Sequence, residues 1–558
     1  MKKFLHWLDQ HILLILSSFL LAFIPLYPKL PLFDALPGYI VRVRIEDVLV
    51  LITTLIYLLQ FFRKKVSWEN AIDKWIFAYV VIAALSIFSG IFVIKTIPLE
   101  LLHIGKSVLH WLRYIEYFSL FFVLFAAVRK RSDLKIILIT LAVTTLLIII
   151  YGYGQKYLYW PVYSTMNREF SKGMRLYLTE HARVQSTFGG HYDLAAFLVI
   201  VLPVFFTLGL KLKKKWPRLL FRLLHWLGLW LLLVCASRTS FIAYLFAIFV
   251  TLLLSSYDQK TWQKKLWWIF RRGLAYSLAL IVMTYAFGAD MRDRFEQVLR
   301  GYPESYAKYE ESVAYLDKET ESIAQFFKEG LWKVEKPSNG IAFDNSQEDI
   351  LAVIPTPTVS NVLTSTDQQP KPVDVYVDVP DKVLVASDSG EMVYVEQERT
   401  WSDNALKYGL SFAIRLDELW PNAIKGFLKN PVFGSAYATL NKKEFYQFTE
   451  AESTDNNFLR TLGETGLLGF LSFYGAIVVL LVVLWRNLKY QDNELQMLNV
   501  AFIAATLGLL LNATYIDVFA SSKVAFTFWA LAGAVLAYNQ LATKNAKTQT
   551  TTAKKAKH

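Results

Sequence analysis

Continuous apolar runs of helix length dominate the chain, and short basic clusters punctuate them. The runs fall near residues 11–27, 46–62, 74–94, 109–128, 134–153, 194–210, 219–236, 239–255, 274–288, 466–485, 496–513 and 522–540. Most are long enough, as helices, to cross a hydrocarbon core about 30 Å thick. Apolar residues follow one another rather than alternating, so the runs predict helices and not barrel strands. The pattern therefore reads as an all-α polytopic membrane protein with about twelve transmembrane helices. The first run follows MKKFLHWLDQH without a small-residue cleavage site, so it is expected to remain as an uncleaved first span. Between the ninth and tenth runs the pattern changes. Residues 289–456 are polar and irregular, and form one large loop between helices 9 and 10. The expected organisation is nine spans over 1–288, this segment at 289–456, three spans over 457–541 and a basic tail at 542–558.

Composition agrees with the pattern: 54% of residues are hydrophobic and 15% aromatic, which excludes an ordinary soluble domain of this length. The formal net charge of +13 hides an asymmetry. Residues 290–455 hold 17 Lys+Arg against 29 Asp+Glu, about −12, so the remainder carries about +25. That excess sits in alternate connections. Arg63, Lys64 and Lys65 form one cluster, Arg129, Lys130 and Arg131 another, and Lys211 to Arg218 a third. Lys264, Lys265, Arg271 and Arg272 follow, then Arg486 and Lys489, then the tail. Basic loops stay in the cytoplasm, so both termini are expected there. This distribution speaks for topology and against nucleic-acid binding. The single cysteine, Cys235, lies in an apolar run, which excludes an internal disulfide or a cysteine metal site.

With this topology the odd connections face outward, and two are long: 154–193 and 289–456. Within the second, Met291 to Tyr315 predicts a charged helix. Residues 336–372 are rich in Pro, Ser, Thr, Gln and Asn and read as a linker. VDVYVDVPDKVLVASDSGEMVYVEQE alternates as a hairpin does, or stays loose. A helical pattern returns from Asn404.

Four polar stretches meet the membrane on the outward side: RVQSTFGGHYDLAAFL with Arg183, ASRTSF with Arg238, IRLDELWPNAIKGFLKNPVFGSA with Arg415, and TDNNFLRTLGETGLLG with Asp455, Asn456 and Asn457. Arginine binds phosphate bidentately and stays charged. Outward arginines therefore suit an anionic ligand at the membrane surface, or they pair with headgroups. Asp455 stands where an N-cap would stand, so capping competes with catalysis as its role. Asn456, Arg460 and Glu464 share one helix face, and Arg460 and Glu464 can pair. Gly463, Gly466 and Gly469 suit close helix packing. On the fourth span Lys106, His110, Arg113 and Tyr117 form a polar stripe with Glu116. That stripe is an ion pair or one wall of a lipid-phosphate cavity. His181 and His191 precede the sixth span, and either could serve as a base. No Walker loop, HExxH or carboxylate metal pair is present outside the poorly matched stretch near 310–400.

These four stretches, in this order and with the long loop between the second and third, resemble the O-antigen ligase and polymerase superfamily of bacterial membrane glycosyltransferases. The resemblance covers about residues 40–540 apart from an insert near 310–400. It implies a GT-C-like bundle that uses no cofactor, no nucleotide sugar and no metal. The implied reaction transfers a glycan from undecaprenyl pyrophosphate to an acceptor hydroxyl on a glycan or lipid at the outer face of the membrane. By position, Asp455, Arg183 and Arg415 would be catalytic, with Arg238, Asn456, Arg113 and His191 binding substrate. Membrane lipids and a chain-length regulator are the implied partners. Ligases of lipopolysaccharide usually carry His where this chain has Asp455, whereas polymerases and exopolysaccharide members often have Asp-Asn. The competing class is a transporter or flippase for a lipid-linked anion, favoured by the stripe on the fourth span but lacking visible repeats.

Overall fold

A computed structural model describes residues 2–36, 42–166, 170–179, 182–300, 306–311, 341–343, 372, 381–386, 392–397, 400–442, 453–489 and 492–555. Twelve of its helices are long and apolar enough to cross a membrane, and the chain is a multi-pass, all-α membrane protein. The spans are α1 (Lys2–Leu26), α2 (Ile45–Phe62), α3 (Asp73–Phe92), α4 (Leu101–Ala127), α5 (Arg131–Tyr157) and α6 (His191–Lys211). They continue as α7 (Lys215–Val234), α8 (Arg238–Ser255), α9 (Trp262–Phe287), α10 (Asn457–Asn487), α11 (Asn493–Asn512) and α12 (Ser522–Lys555). The most enclosed are α6 and α12; α9 is the most exposed. The core forms where α12 packs on α4, and where α11 packs on α6 and α8.

Several spans begin earlier than hydropathy predicts, and two of the early starts shape the site. α4 starts at Leu101 rather than near 109, and α10 at Asn457 rather than near 466. Both added stretches are polar, and both point their polar groups into protein. Lys106, Arg460 and Glu464 are buried. A helix of this kind is invisible to a hydropathy window because its polar residues never meet lipid.

The connections after α1, α3, α5, α7, α9 and α11 meet at one end of the bundle. Lys523, at the head of α12, donates to the carbonyls of Pro25 (3.0 Å), Tyr27 (2.6 Å) and Thr187 (2.8 Å). An ammonium has three protons, and all three are used. Thr187 also donates to Pro25 O at 2.6 Å, so the end of α1, the approach to α6 and the start of α12 are tied together. The basic clusters lie in the other set of connections. There Arg131 pairs with Asp492 (2.5 Å), and Asp9 takes Arg63 (2.8 Å) and Lys65.

Of the long segment, Ala289–Arg300 and 306–311 are helical, as the charged pattern predicts. β1 (Leu176–Leu178) pairs in parallel with β2 (Ile341–Phe343). β3 (Asp381–Ala386) and β4 (Met392–Gln397) form an antiparallel pair with Asp381 opposite Gln397, so the alternating stretch is a hairpin. His181 and most of the expected linker and insert lie outside the described residues.

α10 is broken. Gly466 sits at φ +66°, ψ −169°, so the chain leaves helical geometry for one residue. In a low-dielectric interior every backbone group freed by such a break needs a partner. Residues 430–438 supply them. Leu467 N donates to Pro431 O (2.9 Å) and Leu468 N to Val432 O (3.3 Å). In return Gly463 O accepts from Ser435 N (2.8 Å), and Glu464 O from Ala436 N (2.9 Å) and Ser86 Oγ (2.7 Å). The approach is so close that a Cβ at Gly466 would stand 2.4 Å from the Val432 backbone, and one at Gly434 2.5 Å from Glu464. The expected role of Gly466 in helix packing is thus corrected: it is the hinge of a break, required for its positive φ. Gly463 does serve packing, since a Cβ there would lie 2.8 Å from Ala423 O.

Gly466→Ala should therefore destabilise the protein by at least about 2 kcal/mol, from forced φ and backbone overlap together. Gly273→Ala on α9, where nothing lies within 4 Å of the new methyl, should be neutral. Thermal unfolding of the two variants in one detergent distinguishes them.

Candidate functional site

The site is built around the turn before α10 and the connection between α11 and α12. Asp517, in that connection, is 7% exposed and gathers donors from the turn. It accepts from Thr454 N (3.0 Å), Thr454 Oγ1 (3.1 Å), Asn456 N (3.1 Å) and Arg460 (3.0 Å). Ser453 Oγ lies 2.9 Å from the same carboxylate. Arg460 also holds Glu464 at 3.3 Å, the pairing that their spacing predicts. Asn457 binds the connection from the other side. Its N–H donates to Ala513 O (2.8 Å), and its side-chain oxygen accepts from Phe519 N (3.0 Å).

This clamp leaves Asp455 outside the helix. Its backbone is left-handed, at φ +48°. Asn456 is the N-cap of α10: its side-chain oxygen accepts from Leu459 N at 3.0 Å. Capping, one of the two roles open to Asp455 from sequence, is therefore performed by its neighbour. The reason is local: Asp517 holds the N–H groups of 454 and 456 and turns the chain one residue later than the Ser-Thr-Asp pattern suggests. The amide oxygen of Asn456 is occupied by the cap.

Asp455 instead meets Arg415. The carboxylate lies 2.8 Å from the guanidinium; the arginine side chain is 7% exposed and the aspartate 31%. Arg415 opens a single π-helical turn, Arg415–Leu419, a distortion that often marks functional positions. The guanidinium is held on one edge and one face. It donates to Ser411 O and to Ser411 Oγ (2.8 Å), and it lies 4.1 Å over the Tyr515 ring. Phe412 stacks on Tyr515 at 6.0 Å. A cation on an aromatic face and hydrogen-bonded on one edge keeps its direction. Its remaining edge points at Asp455, which is the partly exposed member of the pair.

Arg183 lies in the approach to α6 and is buried. It sits 2.6 Å from His191 Nε2, 3.4 Å from the Tyr192 hydroxyl, and 5.9 Å over the Tyr192 ring. His191 is the first residue of α6, buried, rather than a loop residue. No side chain caps this helix, whose N-cap is Gly190. Lys29 pairs with Asp193 in the same first turn at 3.0 Å. An uncapped helix N-terminus beside a buried arginine is a favourable place for an anion.

Arg238 is the first residue of α8. Its turn is joined to α11 through Ser240, which donates to Asn512 Oδ1 at 3.3 Å. Arg113 is clamped by carboxylates: Asp47 from α2 on both of its terminal nitrogens and Glu116 at 3.0 Å. The stripe on α4 continues into this layer, with Ser107 donating to Tyr437 O (2.9 Å) and His110 stacked on the Tyr437 ring (6.4 Å). Burial pushes the Tyr437 hydroxyl well above its usual range, so it stays a neutral partner of Tyr79 at 2.8 Å. At the start of α2, burial lowers the Arg44 pKa while Glu46 beside it draws it back up.

Two residues that organise the candidate site carried no sequence signal: Asp517 and Lys523. Each looks ordinary beside its chain neighbours, and only the bonds to distant segments give it a role. The structure ties Asp455, Arg415 and the Arg238 turn to the 512–521 stretch, and through Lys523 ties the Arg183 loop to the α12 that follows it. Among the described residues, no group of His, Cys, Asp or Glu could hold a metal ion.

Asn456→Ala should cost about 1 kcal/mol through the lost cap, and Asn456→Asp should recover it. Asp455→Gly should not destabilise through α10, because glycine accepts a positive φ without penalty. Melting curves of the purified variants check both outcomes. No protein-family model matches the chain, and no curated protein matches its sequence.

Proposed function

We propose that the protein is a lipid-linked glycan transferase, an O-antigen or surface-polysaccharide polymerase or ligase acting at the outer face of the bacterial cytoplasmic membrane. The observation that carries this reading is the Arg415–Asp455 pair at 2.8 Å, an anchored cation and a partly exposed carboxylate. The ordered motifs that resemble the ligase and polymerase superfamily support it. So does the basic bias of the opposite connections, which puts the site on the outward side.

The chemistry follows from the groups. The donor's pyrophosphate leaves with negative charge, and Arg183, Arg415 and Arg238 are the cations available to it. The acceptor hydroxyl gives its proton to Asp455 as its oxygen bonds to the anomeric carbon. The bond from that carbon to the pyrophosphate oxygen breaks, and its electron pair leaves with the pyrophosphate. Arg113, held by Asp47 and Glu116, would bear on the site only at second hand. Asp-Asn at 455–456 leans towards polymerisation, or ligation to an acceptor other than lipid A core.

The transporter reading retains one favourable feature, the break in α10 at Gly466, because transporters build sites from discontinuous helices. Purified protein in liposomes, given the undecaprenyl-pyrophosphate glycan that accumulates in a strain lacking this chain, separates the two. Release of undecaprenyl pyrophosphate with elongated or transferred glycan supports the transferase. Movement of the donor across the bilayer without turnover rejects it.

In the same assay Arg183→Ala and Arg415→Ala should each lower turnover about 100-fold or more. Lysine should rescue neither fully, because it lacks the planar fork. Asp455→Asn should abolish turnover and leave donor binding nearly intact. Wild-type activity should fall on acidification, as Asp455 takes a proton from water before the acceptor can supply one.

A further inference from the structure

We propose that Asp517 is a positioning residue for this reaction: it shares the Ser453 hydroxyl with the Asp455 carboxylate, which holds that carboxylate in place, and its negative charge keeps Asp455 basic. The inference rests on Asp455 being the base. Ser453 Oγ lies 2.7 Å from Asp455 Oδ1 and 2.9 Å from Asp517 Oδ2. A serine hydroxyl has one proton, so it can donate fully to only one of the two carboxylates. Asp517 already accepts from Thr454 N, Asn456 N and Arg460, and shares the Thr454 hydroxyl proton with Asn456 O. With the base ionised, the serine proton belongs to Asp455.

When Asp455 takes the acceptor's proton, the direction reverses. The new Oδ1–H donates to Ser453 Oγ, and the serine proton turns to Asp517 Oδ2. No proton is lost in this exchange; Asp455 later returns its proton to water. The hydroxyl therefore serves both states of the base and couples it to a second negative charge.

The surrounding charges decide how basic Asp455 is. Arg415 faces it at 2.8 Å and favours the ionised form. Asp517 opposes this, as a like charge one hydroxyl away. Arg460 only partly cancels Asp517, because it is shared with Glu464. His110 on α4 lies within reach of Arg460 and of Lys106 and Arg113 on its own helix. Tyr515 covers the other face of Arg415, and Arg238 heads the helix that meets Asn512. Among these described groups, three carboxylates, Asp455, Asp517 and Glu464, meet two guanidiniums, Arg415 and Arg460.

The test is the pH–rate profile of wild type, Asp517→Asn, Ser453→Ala and Ser453→Thr in liposomes, with the glycan donor extracted from a deletion strain. Removing the second charge makes Asp455 easier to ionise and a weaker base. Asp517→Asn should move the acid limb down by about one pH unit and lower the plateau about ten-fold, with KM for donor unchanged. Ser453→Ala removes a donor to the ionised Asp455 and should move the limb the opposite way, up, and Ser453→Thr, which keeps the hydroxyl, should restore it. Folded variants with reduced turnover but an unmoved acid limb would show a structural role only and overturn the proposal. Should Asp517→Asn fail to fold, the Ser453 pair decides alone. An inactive wild type rejects the transferase reading itself, a result distinct from an unmoved limb.

Discussion

A buried carboxylate with three firm donors and a shared threonine hydroxyl organises this end of the bundle. Asp517 takes two backbone N–H groups, a threonine hydroxyl and an arginine, all from the turn and first helical turns of α10. Such charge-assisted bonds are stronger than neutral ones, and leaving any of the donors unpaired would be costly in a dry interior. The turn therefore has one conformation. In it Asn456 caps the helix, Asp455 is left-handed and free of the cap, and its carboxylate comes to Arg415.

The break in α10 obeys the same constraint on a different scale. Four backbone groups lose their helical partners around Gly466, and residues 430–436 replace them one for one. That exchange fastens the end of the long polar segment to the membrane bundle. Arg415 stands sixteen residues before the first of these contacts, on a π-helical turn whose direction is fixed by Ser411 and Tyr515. A mobile loop could not hold a buried guanidinium against a half-exposed carboxylate. Here the loop is pinned at both the break and the Tyr515 ring.

Lys523 shows how the second half of the site is connected. Its three donors go to carbonyls at the end of α1 and before α6, so the Arg183 loop is docked on the helix that follows Asp517. Arg183 then lies beside an uncapped helix start, and Arg415 beside a carboxylate. One environment favours an incoming anion and the other can accept a proton, which is the division of labour a transferase with a pyrophosphate leaving group requires.

The twelve spans, the polar segment between the ninth and tenth, and the Arg460–Glu464 pair were all legible in the sequence. Each depends on local composition or helical spacing: an apolar run meets lipid wherever it sits, and residues four apart on a helix are neighbours. The early starts of α4 and α10 were not legible, because polar residues facing protein look the same in sequence as polar residues facing water. Nor was the cap, since Asp455 and Asn456 are equally suited to it and the choice lies with Asp517, more than sixty residues away. Gly466 could be seen as a small residue but not as a break, because its positive φ exists only against Val432 and Gly434. Lys523 and Pro25, 498 positions apart, meet only once the bundle has closed. Sequence thus determined which segments enter the membrane, where solvent alone decides. Tertiary structure decided which charge faces which, because that depends on partners brought from far along the chain.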